Sequence, residues 1–145
     1  GINLKLSLFN RVINLDNIYI FNVSPDNDNI INIPKHNNYS KLYYSGNWFK
    51  NTIPVQFGVN MYFRSEYNGN AYDPSLQSYY VQNSFMLQQY LRYNLFFNMQ
   101  VKNFRVFLKM THFNQFDRYD GYFATPYYPG QKKVLDLGVK WYFFN

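Results

Sequence analysis

The chain has 145 residues, a formal net charge of +6 and no cysteine, so it has room for one domain and cannot form a disulfide or a thiolate metal site. Tyr and Phe number 16 and 15, which favours strands over helices. Mean hydropathy is only −0.44, and no apolar run reaches the roughly 20 residues of a membrane-spanning helix. A membrane β-strand, however, is apolar on one face only and needs about 9–11 residues, so alternation is the decisive pattern.

The first third of the chain predicts three strands with weak alternation. The first strand places Lys5 on its polar side and ends at a turn at residues 10–11. Residues 12–23 are apolar on both faces in places, residues 24–38 are predicted to be a connection, and residues 42–48 alternate only approximately.

The middle of the chain alternates clearly. After a short turn at residues 50–52, residues 53–65 predict a strand with Arg64 on its polar side. A long connection at 66–90 leads to residues 91–102, which alternate over a bilayer-spanning length with Arg92 on the polar side. A tight turn at residues 102–103 and a return strand at 104–111, with Arg105 and Lys109 on its polar side, complete a predicted hairpin.

The last strand repeats this pattern after a second long connection at 114–133. Its polar side carries Lys140. Its predicted apolar face consists of Leu135, Leu137, Val139, Trp141 and Phe143.

A soluble β-sandwich also alternates, but two further features favour an outer-membrane barrel. The connections are alternately short and long, as periplasmic turns and outer loops are in such barrels. Aromatic residues also cluster at strand ends, as an interfacial girdle requires. These clusters are Tyr43, Tyr44, Trp48, Phe49, Tyr127, Tyr128 and residues 141–144. The sequence therefore predicts an all-β fold, an antiparallel transmembrane β-barrel built as a meander.

The predicted strand number is seven, whereas bacterial single-chain barrels normally have an even number. An open seven-stranded sheet would leave unpaired edges in lipid. The first residue is Gly, and no leader sequence follows it. We therefore expect residues 1–145 to be a single barrel segment, the C-terminal portion of a larger barrel.

Residues from about 33 to the end resemble the putative porin family of Bacteroidota. The resemblance lies in the stretches IPKHNNYSKLYYSGNWF, FGVNMYFRSEYNGNAYDPSLQSYYVQN, FRVFLKMTHFNQ and YFATPYYPGQKKVLDLGVKWYFFN. Residues 17–32 fit the family less well. The resemblance implies an outer-membrane pore without catalytic residues, surrounded by lipid, whose last strand is recognised by the barrel-insertion machinery.

The polar sides of the predicted strands are mainly basic, whereas acidic residues lie mainly in connections. If these sides line a lumen, its field favours anions. The alternative is that the charges pair across strands or hold the barrel's shape. The candidate lumen-facing residues are Lys5, Arg64, Arg92, Arg105, Lys109 and Lys140.

The predicted outer loops are rich in tyrosine, and tyrosine rings can stack on sugars. The simpler interpretation, which we favour, is that these rings anchor the loops at the headgroup level. The candidate contact residues are Tyr72, Tyr79, Tyr80, Tyr119 and Tyr122.

Other function classes have little support in the sequence. His112 lies beside Thr111 and near Asn114, but no G-x-S-x-G motif or acidic partner accompanies it, so we predict no enzyme, metal or cofactor. The basic residues form no stripe between exposed aromatics, which argues against nucleic acid. Two functions remain: a porin for passive diffusion of small hydrophilic solutes, and a non-conducting structural or partner subunit that binds other outer-membrane subunits in an envelope complex.

Overall fold

The structure is a computed structural model that describes residues 1–23, 32–115 and 122–143. Within these ranges every regular element is a β-strand. In chain order the strands are β1 (Ile2–Leu8), β2 (Ile13–Phe21), β3 (His36–Trp48), β4 (Ile53–Arg64), β5 (Tyr67–Asn68), β6 (Ala71–Asp73), β7 (Ser78–Tyr80), β8 (Met86–Leu87), β9 (Tyr90–Val101), β10 (Phe104–Thr111), β11 (Phe123–Thr125), β12 (Tyr128–Pro129) and β13 (Val134–Trp141). The described part of the chain contains no helix long and apolar enough to cross a membrane.

The seven long strands form one antiparallel sheet in the order β1-β2-β3-β4-β9-β10-β13. This meander confirms the predicted all-β fold and the predicted number of strands. Within the described ranges, β1 and β13 each pair with one neighbour only. The sheet that these residues form is therefore open and does not close into a barrel by itself.

The short connections lie at one end of this sheet, which we call the turn end, and the long connections lie at the other, the loop end. Residues 9–11 and 49–51 all have positive φ, between 51° and 69°. Lys102, in the shortest turn, has φ 51°. This left-handed conformation is uncommon outside glycine, and it reverses the chain within a few residues. The three predicted turns are confirmed.

Strand β3 is longer than its sequence pattern predicted. The connection was expected to run to residue 38, but β3 begins at His36, so that prediction was wrong. The physical reason is a local hydrogen-bond cluster. The Asn17 amide donates to Asn38 Oδ1 at 2.9 Å and to Ser40 Oγ at 2.6 Å, so polar side chains that interrupt the alternation are satisfied within the sheet.

The strand register collects the apolar sides of all seven strands on one face of the sheet, which we call the apolar face. One row of cross-strand partners contains only aliphatic side chains and Met from edge to edge. The row is Leu6, Leu15, Leu42, Val59, Leu95, Met110 and Leu135. The opposite side is the polar face, and an adjacent row there is Lys5, Asp16, Lys41, Asn60 and Asn94.

The apolar face has no second layer among the described residues. In the part of the chain that the structure describes, the only fully buried hydrophobic residues are Val55, Ala71 and Leu87, whereas Leu137 is 73% exposed. The accessible surface is 11166 Å², while a folded soluble monomer of 17.6 kDa exposes about 7,900 Å². The sheet therefore buries too little apolar surface for a soluble sandwich.

Candidate functional site

The register places all six predicted lumen-facing residues on the polar face. Lys5 lies on β1, Arg64 on β4 and Arg92 on β9. Arg105 and Lys109 lie on β10 opposite Lys140 and Asp136 of β13. Lys41 of β3 lies on the same face, between Asp16 and Asn60. It was not predicted, because the alternation of β3 is imperfect.

The polar face carries an excess of positive charge. Within the described strands of the main sheet, this face carries seven cations and two carboxylates, Asp16 and Asp136. Asp16 lies between Lys5 and Lys41 in the register, and Asp136 lies opposite Lys109. The register therefore puts a carboxylate next to Lys5, Lys41 and Lys109, and charge pairing across strands, the expected alternative, stays a prediction for these three positions.

Four of the seven cations have no carboxylate as a cross-strand partner: Arg105 and Lys140, which lie opposite each other, and Arg64 and Arg92. Arg64 lies opposite Asn37 and Tyr90, and Arg92 lies opposite Tyr62. The guanidinium carbon of Arg92 is 4.3 Å from the centroid of the Tyr62 ring. These two charges lie at the loop end and are held by aromatic rings rather than by acids.

Residues 122–125, which we call the roof, cross the polar face above these arginines. Arg64 Nη2 donates to the carbonyl oxygen of Phe123 at 2.8 Å. The Tyr122 ring stacks on the Tyr90 ring with centroids 3.8 Å apart and planes inclined by 19°. The roof is thus fixed to both β4 and β9.

The first long connection, residues 66–89, supports the roof from the side. The Phe85 ring packs against Phe123 at 5.3 Å and Tyr127 at 5.1 Å between centroids. Leu87 is buried, and a Cβ on Gly69 would lie 3.2 Å from Pro126. The first long connection and residues 122–127 therefore pack together at the loop end.

A cavity of about 410 Å³ lies between the sheet and the roof. Its wall contains Arg64 and Arg92 together with four tyrosines, and none of its described lining residues is Asp or Glu. Most of this lining was not predicted from the sequence. The one available signal was Ile18 and Ile20, which are apolar residues on the polar side of β2 and line the cavity. The tyrosines in the wall are Tyr39, Tyr62, Tyr90 and Tyr122.

His112 lies just past the end of β10 and is fully buried. Its ring lies 5.4 Å from Tyr122 and 6.0 Å from Tyr90 between centroids. Burial lowers the pKa of His112 below its usual 6.5, and the positive charge of Arg92 acts in the same direction. The environment therefore favours a neutral imidazole.

The neighbours of His112 that suggested a nucleophilic pair are engaged elsewhere. The Thr111 hydroxyl donates to the Val134 carbonyl oxygen at 3.3 Å. Asn114 accepts from the Tyr93 amide at 3.1 Å and donates to the Leu91 carbonyl oxygen at 2.8 Å, which ties it to the start of β9.

The predicted outer-loop tyrosines fall into different environments. Tyr79 and Tyr80 of β7 are exposed, and Tyr72 of β6 packs on Tyr79 with ring centroids 5.1 Å apart. The Tyr122 ring stacks on Tyr90 above the polar face. Tyr119 lies outside the described residues.

The predicted apolar face of the last strand lies where expected, on the apolar face of the sheet. Leu135, Leu137 and Val139 pair with apolar residues of β10 and are 61–73% exposed. The Trp141 ring stacks on Phe104 at 4.9 Å and on Phe143 at 4.5 Å. Further aromatic contacts at the turn end of this face join Tyr44, Trp48, Phe57 and Phe97.

The described part of the chain contains no group of three or more His, Asp or Glu residues that could hold a metal ion. A family model described as Putative porin matches residues 2–145. The comparisons with curated proteins and with solved structures give no match.

Proposed function

The chain belongs to the Putative porin family, and from this premise we propose that its sheet is part of the wall of an outer-membrane β-barrel that admits small hydrophilic solutes by passive diffusion. The observation that carries the proposal is the register. An apolar row crosses all seven strands, and the opposite face of the same strands is polar and carries more cations than carboxylates. A wall between lipid and an aqueous lumen needs this division.

Lipid is the proposed cover of the apolar face. The aromatic contacts of Trp48 and Trp141 lie at the turn end, where a girdle at the headgroup level would anchor the sheet. With the short turns in the periplasm, the long connections lie outside the cell. From the family resemblance we further propose an origin in Bacteroidota and a partner, the barrel-insertion machinery, which would recognise β13.

The open sheet requires further strands in this setting. Unpaired N–H and C=O groups at β1 and β13 would be costly in lipid. We therefore propose that additional strands pair with both edges and complete the barrel. A barrel of 16–18 strands leaves a water channel, whereas about 8 strands fill their own interior.

Anion preference follows from the excess of cations on the polar face. The test is the reversal potential of single channels of the full-length protein in a KCl gradient. We expect the sign that corresponds to chloride preference. A clear cation preference would overturn this part of the proposal.

A second candidate function is a non-conducting structural or partner subunit of an outer-membrane complex. The roof supports it, because residues 122–125 cover the polar face at the loop end. Reconstitution of the full-length protein into planar bilayers separates the two candidates. Stable single-channel steps support the porin, and a closed barrel without conductance supports the subunit.

We propose no enzymatic role and no nucleic-acid partner. The diffusion mechanism needs no reacting side chain, and buried His112 lies beneath Tyr122. A lipid-hydrolysis assay with a His112→Ala control tests this point. Hydrolysis that disappears in the variant would contradict it.

A further inference from the structure

We propose that the cavity beneath the roof is a binding site for a small sugar that carries an oxyanion group, a carboxylate or a phosphate. The inference deepens the proposed porin function, on which it rests, by naming a solute class and the place in the pathway where the solute is held. Three features of the cavity support the proposal: its two arginines, its unpartnered donors and its aromatic walls.

The two arginines converge from neighbouring strands. Arg64 of β4 lies opposite Tyr90 of β9, and Arg92 lies opposite Tyr62, so the arginines are diagonal neighbours on the polar face. Diagonal neighbours have Cα atoms about 7–8 Å apart, within reach of long side chains. Two guanidinium groups can therefore meet one oxyanion, and their planar forks match the geometry of a carboxylate or a phosphate.

Both guanidinium groups are positioned without using all their donors. Arg64 gives Nη2 to the Phe123 carbonyl oxygen, and Arg92 packs on the Tyr62 ring. Arg64 Nε, Arg92 Nε and the Tyr90 hydroxyl are shielded from solvent and have no hydrogen-bond partner. Leaving buried polar atoms unpaired is unfavourable, so these three atoms in one cavity indicate a ligand that pairs with them.

The remaining wall suits a ring with hydroxyl groups. The Tyr39 and Tyr62 rings lie 4.8 Å apart between centroids, and Tyr122 covers the cavity from the roof. Aromatic faces pack on the apolar face of a sugar ring, while the Asn37 amide in the same wall can pair with hydroxyls. The volume of about 410 Å³ lies within the range of small-molecule pockets, about 300–1,000 Å³.

The electrostatic setting selects the charge of the solute. The described lining has two cations and no carboxylate, so a cationic sugar would leave three positive charges together. A neutral sugar can accept hydrogen bonds through its hydroxyl oxygens, but it leaves the two guanidinium charges without a counter-charge. An anionic sugar supplies both the acceptors and the counter-charge.

The test is isothermal titration calorimetry on the purified full-length protein in detergent micelles, with four probes. Glucuronate and glucose 6-phosphate carry ring and charge, glucose carries the ring alone, and acetate carries the charge alone. We expect at least one sugar acid to bind about tenfold or more tightly than both glucose and acetate, since hydrogen bonds to charged groups contribute about 1.5–3 kcal/mol. The tighter of the two acids identifies the oxyanion.

The variants Arg64→Gln and Arg92→Gln should each weaken that binding about tenfold or more. Lys35→Gln is the matched control, because it removes one charge from an exposed side chain outside the cavity lining, and it should bind like the wild type. Heat-modifiable migration on a gel verifies that each variant is folded. If a Gln variant fails to fold, Arg92→Lys replaces it, since lysine keeps the charge but lacks the planar guanidinium group. Arg92→Lys should also bind the acid more weakly than the wild type.

Three results would overturn the site: neither acid binds, glucose or acetate binds as tightly as the better acid, or the folded arginine variants bind it like the wild type. Because calorimetry in detergent does not need conduction, it is independent of the bilayer experiment. If the protein conducts but binds neither acid, the proposed binding site is wrong and the porin proposal stands. If the protein binds the acid but never conducts, the porin proposal is wrong and the binding site stands.

Discussion

The rings of Tyr90 and Tyr122 stack with centroids 3.8 Å apart, and this contact joins the second long connection to the polar face of the sheet. Tyr90 is the first residue of β9, and Tyr122 belongs to the roof. The same roof segment accepts a hydrogen bond from Arg64 at Phe123. A loop held in this way narrows the passage that the polar face would line.

Replacing Tyr122 by Ala removes the ring that holds the roof on β9. We expect the single-channel conductance of the full-length protein to rise, since the passage at the loop end becomes wider. Tyr79→Ala is the control, because Tyr79 is 63% exposed on β7. This substitution should leave the conductance unchanged. An unchanged or lower conductance in Tyr122→Ala would show that the roof does not lie in the conducting path.

Two glycines on the polar face differ in what a side chain would meet. A Cβ on Gly58 would overlap the backbone of β3 at Leu42, whereas a Cβ on Gly138 would overlap only the ring of Phe107. Because a ring can turn and a paired strand cannot, Gly58→Ala should lower the free energy of unfolding by about 1–3 kcal/mol. Gly138→Ala should lower the free energy of unfolding by a smaller amount. Urea unfolding in vesicles measures both, and the reverse order would contradict the packing described.

A charge placed on the apolar face should be costly in a bilayer. Leu137→Arg should make folding into vesicles less favourable by about 2–4 kcal/mol, as expected for a charge near the bilayer midplane. Gln56→Arg adds the same charge on the polar face of β4 and should cost far less. Equal costs for the two variants would mean that lipid does not cover the apolar face.

His112 should make stability depend on pH. Its folded pKa is lowered by burial and by Arg92, so at pH values above about 6.5, the usual value for histidine, it is neutral in both states and has no effect. Below that value the unfolded chain takes up the proton first, and stability falls as the pH decreases towards the folded pKa.

The test is the urea midpoint of the wild type and of His112→Asn between pH 7.5 and pH 5. Asn tolerates the left-handed backbone at this position, where φ is 56°. We expect a smaller loss of stability on acidification in the variant than in the wild type. An identical loss in both proteins would assign the pH dependence to other groups.

The long strands were largely predictable from sequence, because alternation reports a sheet with one apolar face. β4, β9, β10 and β13 follow the pattern with few exceptions, and their register matches the predicted faces. The start of β3 was not predictable from the sequence, since Asn38 and Ser40 lie on the apolar face and form hydrogen bonds with Asn17 of the neighbouring strand. A hydrogen bond between strands leaves no trace in a local pattern.

The candidate site was predictable only in part for the same reason. The alternation identified Arg64 and Arg92 as residues of the polar face. The roof depends on contacts between residues far apart in sequence, such as Arg64 with Phe123, so the position of Tyr122 above the polar face was not predicted. Ile18 and Ile20 interrupted the alternation of β2 because they line the cavity.

The division of the sheet into a lipid face and a water face can be measured directly, because the chain has no cysteine and single cysteines can be placed at will. Nitroxide labels at positions 136, 137, 139 and 140 of the full-length protein in vesicles would report collisions with oxygen, which concentrates in lipid, and with a water-soluble nickel complex. We expect oxygen to dominate at Leu137 and Val139, and the nickel complex to dominate at Asp136 and Lys140. Equal access of the nickel complex to all four positions would contradict the assignment of this sheet to a membrane barrel.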